Sequence, residues 1–338
     1  MKQLLATIPL WVCMSAHAQN SDSAQFYFKI GLIEKNAQRF LAASQAFDKA
    51  IKFNPSYEEA LLANGFTNLE MRKLDAAKAC FSKVNEIDPA NKSAIKELMD
   101  LYYSYRQFAK AIEFAQKCPD CENSLRIIGL CNYQAEDYPQ AEKSLKAALA
   151  KNPADAEVTY TLARTYLDME EYAKSIPVFE KAIKMDGAKN NWMYELGLLY
   201  YNQDDYKNAM AAFTTAANNG YVQSLDFNEN LGYACLYSGE YEKGEKLLME
   251  IYTKKPGNKD ILRDMAEIFY KQKQFDKSLS YCQKLMEIDA NDGKALYQAG
   301  LVFQKKGDKN RGQAMCDKAI SMDPSLDSLR KKKDISGL

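Results

Sequence analysis

Cys118-Pro119-Asp120-Cys121 is the sharpest local arrangement for chemistry in this chain, because two closely spaced thiols can form a disulfide, attack one, or begin a metal site. Redox pairs place the attacking cysteine at a helix N-terminus, where the helix dipole stabilises a thiolate. Here the hydrophobic periodicity puts Cys118 at the end of one helix and Cys121 at the start of the next. Three readings stand, a structural disulfide, two free thiols and an accessory thiol-disulfide redox function, and the helix context favours the first. A metal site on Cys118, Cys121 and Cys131 lacks the fourth ligand that structural zinc takes. Cys80, Cys131, Cys235, Cys282 and Cys316 fall on positions expected inside helix pairs, where a thiol behaves as a small hydrophobe. The paired carboxylates Glu170-Glu171 and Asp204-Asp205 recur at equivalent turns, which points to capping and solvation and not to a tuned acid-base pair. No catalytic residue, cofactor or metal ligand set is expected.

The single histidine, His17, lies in a segment with the form of an export signal. Met1-Lys2 is a short positive start, Leu4 to Met14 an apolar run, and Ala16-His17-Ala18 a small-x-small cleavage site. Residues 1–18 are therefore expected to be removed and the mature chain to begin at Gln19. That would leave no histidine for a Ser-His-Asp or Cys-His pair, an H-E-x-x-H zinc site or a proton relay. Cys13 lacks the small preceding residue of a lipoprotein signal, so a lipid anchor is the weaker reading. The expected location is exported, in the periplasm, with outer-membrane association or secretion as alternatives. No downstream apolar run has the length of a membrane span. The formal net charge of zero and the sequence pI of 6.7 give no basic field for nucleic acid.

What must position these side chains is a repeat. Ala43-x3-Phe47, Ala50 and Pro55 recur as Ala77-x3-Phe81 and Pro89, and the spacing of 34 residues continues along the chain. It divides 24–326 into nine repeats at 24–57, 58–91, 92–121, 122–155, 156–189, 190–223, 225–258, 259–292 and 293–326, behind a linker at 19–23. Each repeat reads as two antiparallel helices. Position 8 takes Gly31, Gly65, Gly129, Gly197, Gly232 and Gly300, with Ala163 and Ala266, so that a second helix can approach closely. Position 17 takes an aromatic ring in seven repeats, among them Phe40, Tyr138 and Tyr206, where the second helix should begin. Pro55, Pro89, Pro153, Pro256 and Pro324 at position 32 end that helix. The third repeat is four residues short and Ser224 is inserted before the seventh, so the third-to-fourth junction is the expected irregularity. Residues 327–338, with the basic run Arg330-Lys331-Lys332-Lys333, should form a short closing helix and a tail.

The pattern Leu196-Gly197, Tyr200, Ala209 and Phe213, and Leu231-Gly232 with Pro256, resembles the tetratricopeptide repeat family, here of an exported bacterial type. The resemblance covers the chain from residue 24 to 326 and departs from the family in having no Trp at position 4. It implies an all-α fold, a right-handed superhelical solenoid of nine antiparallel helix pairs, with the first helices lining a concave groove through positions 2, 5, 9, 12 and 13. Those positions place Tyr103, Arg126, Tyr133, Tyr160, Arg164, Tyr194, Tyr201, Tyr233, Tyr237, Arg263, Tyr270 and Tyr297 in the groove. Tyrosine and arginine are the types enriched in binding hot spots. The expectation is a non-catalytic adaptor of the cell envelope that binds a peptide or helix of another protein there, with redox work through Cys118 and Cys121 as the alternative. The Lys and Asn pair with which the family clamps a C-terminal carboxylate at positions 5 and 9 is not repeated: the third repeat has Lys96 but Asp100.

Overall fold

The computed structural model describes residues 11–328, with side chains from residue 21 onward. The helices follow one another as pairs: α1 (Trp11–Asn36) and α2 (Phe40–Phe53), α3 (Glu58–Glu70) and α4 (Leu74–Ile87), α5 (Lys92–Ser104) and α6 (Phe108–Lys117), α7 (Ser124–Gln134) and α8 (Tyr138–Lys151), α9 (Ala156–Asp168) and α10 (Tyr172–Met185). Then come α11 (Asn190–Asn202) and α12 (Tyr206–Asn218), α13 (Leu225–Ser238) and α14 (Tyr241–Lys254), α15 (Lys259–Lys271) and α16 (Phe275–Ile288), α17 (Gly293–Lys305) and α18 (Lys309–Met322), closed by a 3-10 turn at Pro324–Leu326. No strand occurs among the described residues. The fold is an all-α repeat solenoid, and its contacts divide it into two compact units, Met1–Met185 and Asp186–Leu338.

Volume matching at one point holds each pair together. A Cβ added to Gly197 would lie 2.5 Å from the Phe213 ring, and one added to Gly65 would lie 2.7 Å from Phe81. Position 8 must therefore be small wherever position 24 carries a ring, glycine beneath Phe47, Phe81 and Phe213 and alanine, Ala163, in the repeat of Phe179. The third repeat inverts the pair, with Met99 at position 8 over Ala115 at position 24, both fully buried. Where position 8 is alanine, a serine at position 20 donates to its carbonyl: Ser175 to Ala163 at 2.8 Å and Ser278 to Ala266 at 2.7 Å.

The turn between the helices is equally regular. Position 15 is left-handed in every repeat, with φ of 56° to 61° at Gln38, Arg72, Arg106, Glu136, Glu170, Asp204 and Lys273, and at Gly239 and Gly307 otherwise. The next amide bonds back five residues, as Arg39 does to Glu34 and Asp205 to Tyr200, which is a Schellman closure. Aspartates then cap the second helices: Asp137, Asp205 and Asp308 accept from the amides of Gln140, Asn208 and Arg311. Asn91, Asp155 and Asp292 at position 34 cap the next first helix in the same way.

Two expectations are corrected. Residues 19–23 are helical and belong to α1, with no glycine or proline among them to break it, so they form no linker. Cys121 stands in the turn and not at a helix start, since α7 begins at Ser124. The export-signal reading rests partly on residues 1–10, and the closing helix and basic run on 329–338, which lie outside the described residues. Leu326 is buried against the last pair. Among the described residues no helix is long and apolar enough to cross a membrane.

Candidate functional site

Eleven of the twelve groove residues are half-buried on first helices, and Tyr297 is the exception, only 6% exposed within the core of the last repeat. Position 12 has a local reason to be tyrosine. Tyr103 rests on Phe108, Tyr133 on Tyr138, Tyr201 on Tyr206 and Tyr270 on Phe275, with centroids 5.3 to 6.3 Å apart, each on the position-17 ring across its own turn. These side chains thus brace the turn while leaving an edge exposed.

In the unit ending at Met185 the face is neutralised by its own charges. Arg126 bonds the helix-capping carboxylate of Asp155 at 3.1 Å and pairs with Glu157. Tyr133 donates to Asp168 at 2.9 Å, and the Arg164 guanidinium lies 5.7 Å from the centre of the Tyr133 ring. Tyr133, Arg164 and Asp168 share a cavity of about 350 Å³. Burial, then the bond to Asp168, pushes the Tyr133 hydroxyl far above the ordinary tyrosine range. Tyr160 packs edge-on against buried Phe179 at 5.7 Å.

The unit beginning at Asp186 has a different face. Tyr206 and Tyr237 stack at 4.4 Å, Tyr201 meets Tyr206 edge-on at 5.3 Å, and Tyr233 donates to Asp264 at 2.7 Å. Burial first, then neighbouring Tyr237, Asp264 and Glu229, pushes the Tyr201 hydroxyl up to about 12. Burial also raises the Asp264 carboxyl above the usual carboxylate range, against the Tyr233 hydrogen bond. Arg263 is held between Asp260 at 3.0 Å and the capping Asp292 at 2.9 Å. It repeats the Arg126–Asp155 arrangement, position 5 to position 34, so both arginines tie a first helix to the cap of the next. Tyr194 is part of an aromatic cluster, stacked on Tyr221 at 4.6 Å and accepting from Asn230 at 2.9 Å.

Sequence reasoning missed Asp168, Glu229 and Asp264, which share these faces, because only tyrosine and arginine were sought there. It also placed Tyr206 only at the start of a second helix. The signal was present for Asp168 and Glu229, which occupy positions 13 and 5.

Cys118 and Cys121 are joined in a disulfide. Cys118 is 3% exposed and ends α6, while the Ser124 hydroxyl donates to its carbonyl at 2.5 Å. Cys121 lines a polar cavity of about 360 Å³ with Arg126, Lys151 and Asp155. Burial raises the Cys131 and Cys282 thiols to about 12 and Cys80 to about 11, which keeps them protonated and unreactive. Among the described residues no group of three or more His, Cys, Asp or Glu could hold a metal ion.

Family models described as tetratricopeptide repeat match residues 24–57, 59–91 and 293–326, residues 132–184 and 236–301, and residues 160–221. The chain is 26% identical over 297 residues to BBSome complex member BBS4 of Bos taurus, covering 85% of this chain and 54% of that protein. It is 26% identical over 161 residues to the protein O-mannosyl-transferase TMTC1 of Homo sapiens, covering 47% of this chain and 18% of that one. The chain thus spans about half, or less, of the curated relatives it matches. The solved structure of YrrB, described as a repeat protein with an unusual peptide-binding site, is 22% identical with a TM-score of 0.40, over 57% of this chain and 100% of that one.

Proposed function

Because the chain belongs to the tetratricopeptide repeat family, whose members bind other proteins, we propose that it is a non-catalytic scaffold, exported to the cell envelope, that holds a partner segment on its first-helix faces. The observation that carries this reading is the set of half-buried tyrosines Tyr133, Tyr201, Tyr233 and Tyr237. Ring neighbours or a carboxylate already hold them in place while part of each ring remains exposed. Side chains ordered before binding lose little rotamer freedom on contact, which is what makes tyrosine a hot-spot residue. Arg126 and Arg263 take a different role, as ties between neighbouring repeats.

Site-specific photo-crosslinking tests the reading. A crosslinker replacing Tyr237 should trap a discrete partner in intact cells, and one replacing Glu250 on α14 should not. Trapping at Glu250 with none at Tyr237 would reject these faces as the binding surface. Export is supported by the form of residues 1–18, and mass spectrometry of the mature protein should find Gln19 at its N-terminus.

The disulfide sustains a second reading, thiol-disulfide work through Cys118 and Cys121, against which stands the burial of Cys118 at a helix C-terminus. The Cys118→Ser, Cys121→Ser double variant should bind partner as before and leave envelope thiols unchanged. A shift in those thiols with the fold intact would favour the redox role.

A further inference from the structure

The open face of α11, α13 and α15 combines aromatic rings that have no cation over them with an excess of negative charge. On α13 and α15, Asp226, Glu229, Asp260, Asp264 and Glu267 stand against Lys259, Arg263 and Lys271. All three bases are already engaged, Lys259 by Asp289 at 3.8 Å, Arg263 by Asp260 and Asp292, and Lys271 by Glu267 at 2.6 Å. Glu229 is half-buried beside Tyr201 and Tyr233, and no hydrogen bond or ion pair reaches it among the described residues.

The rings likewise lack a cation of their own. Elsewhere in this unit cations already lie over aromatic faces, Lys284 at 4.7 Å from Tyr281, Lys277 at 5.1 Å from Phe269 and Arg311 at 3.9 Å from Phe303. None of the cation–ring contacts among the described residues involves Tyr201, Tyr233 or Tyr237. In the other unit the corresponding ring, Tyr133, has its cation supplied by Arg164. A ring face is negative and attracts an ammonium or guanidinium group, the more so when carboxylates flank it.

Taking this face as the protein-binding surface, we propose that it receives a lysine- or arginine-bearing segment of a partner protein, the cations lying against Tyr201, Tyr233 and Tyr237 and pairing with Glu229 and Asp264. The inference rests on the scaffold reading above and adds the chemistry of the partner. Acidic segments and nucleic acid are repelled by the same carboxylates. A bare metal ion is not the occupant, since no set of ligands converges on this face among the described residues.

Synthetic peptides of about 12 residues, some 40 Å long when extended, test it on the full chain. One alternates lysine with serine and leucine, and two others replace lysine by glutamate or glutamine. Fluorescence anisotropy should show the lysine peptide binding at least tenfold tighter than either counterpart, with affinity falling as salt rises from low to physiological strength. Glu229→Gln with Asp264→Asn should remove that preference about tenfold, and so should Tyr201→Leu with Tyr237→Leu, which keeps apolar volume but removes the rings' negative faces. Glu250→Gln should change nothing. Equal binding of the three peptides, all lost on the tyrosine substitution, would overturn the cationic assignment while leaving the scaffold reading in place. Binding of the lysine peptide that survives both double variants would overturn the two together. A chain shortened to end at Ser328 that binds the lysine peptide about tenfold tighter would assign the face to the protein's own Arg330–Lys333 run, and would overturn the assignment to a partner.

Discussion

The third and sixth repeats build the same helix pair from opposite materials. In the sixth, Gly197 lies beneath Phe213, and in the third, Met99 lies above Ala115. Both solutions bury their side chains completely, so the pair accepts its large residue at either position 8 or position 24 provided that the other is small. The repeats also end differently. The sixth has a 13-residue second helix, whereas the third has a 10-residue α6 followed by the Cys118–Cys121 disulfide. The covalent bond fixes a junction that four missing residues would otherwise have shaped.

The largest effects should come from emptying that shared volume. Phe213→Ala should destabilise the protein by about 3–5 kcal/mol and Met99→Ala by about 3 kcal/mol, measured by denaturant unfolding. Ala115→Phe alone should also destabilise, because Met99 already occupies the space. Combined with Met99→Gly it recreates the sixth repeat's arrangement, and its cost should fall well below the sum of the two single changes. Simple additivity would show that the two repeats do not pack alike.

That inversion explains a limit of the sequence reading. Gly31, Gly65 and Gly197 announced close approach because each has a ring 16 residues later, and the prolines at position 32 announced helix ends. Met99 carried no such signal, since a methionine at that position reads as an exception until its alanine partner is seen. The left-handed turn at position 15 was invisible for a similar reason: only Gly239 and Gly307 are glycine, and the other seven adopt positive φ because the Schellman closure dictates it. The roles of Arg126 and Arg263 became legible only with Asp155 and Asp292 recognised as helix caps, a contact between residues 29 apart. Which tyrosine rings stay open, and which are filled as Tyr194 and Tyr297 are, depends on neighbours in other helices.

The disulfide gives the next effect. Closing so short a loop restricts the unfolded chain modestly, so Cys118→Ser with Cys121→Ser should lower stability by about 2 kcal/mol. A dithiol reductant should reproduce the loss in the natural sequence, since Cys80, Cys131, Cys235, Cys282 and Cys316 are not disulfide-bonded. Hydrogen exchange should locate the added opening at the junction of α6 and α7, with the sixth repeat unchanged. Equal loosening of both repeats would mean that the bond acts through the whole chain.

Alkaline titration separates the repeats by a smaller margin. The Tyr201 hydroxyl is raised in the folded state from its ordinary 10.0 to about 12. Its contribution is therefore complete below about pH 10 and lost as pH rises through about 12, because the unfolded chain releases that proton first. Allowing for screening by solvent at this half-buried ring, the loss should be at most about 1 kcal/mol. Tyr201→Phe should flatten the stability profile over that interval, and ultraviolet absorbance should show one fewer late-ionising tyrosine.

The smallest difference is at position 15 itself. Arg106 and Asp204 hold the same left-handed conformation, φ 56° and 58°, but their side chains are not equally suited to it. A short polar side chain tolerates this region better than a long one, and Asp204 also accepts the Tyr206 hydroxyl at 2.5 Å. Glycine removes the steric penalty but adds freedom to the unfolded chain, so the two terms partly cancel. Arg106→Gly should then stabilise by about 0.5 kcal/mol, while Asp204→Gly should be neutral or slightly destabilising because the bond to Tyr206 is lost. Thermal unfolding of the two variants side by side checks the sign. Equal gains at both sites would show that the backbone conformation alone sets the balance and that the Asp204–Tyr206 contact contributes nothing to the turn.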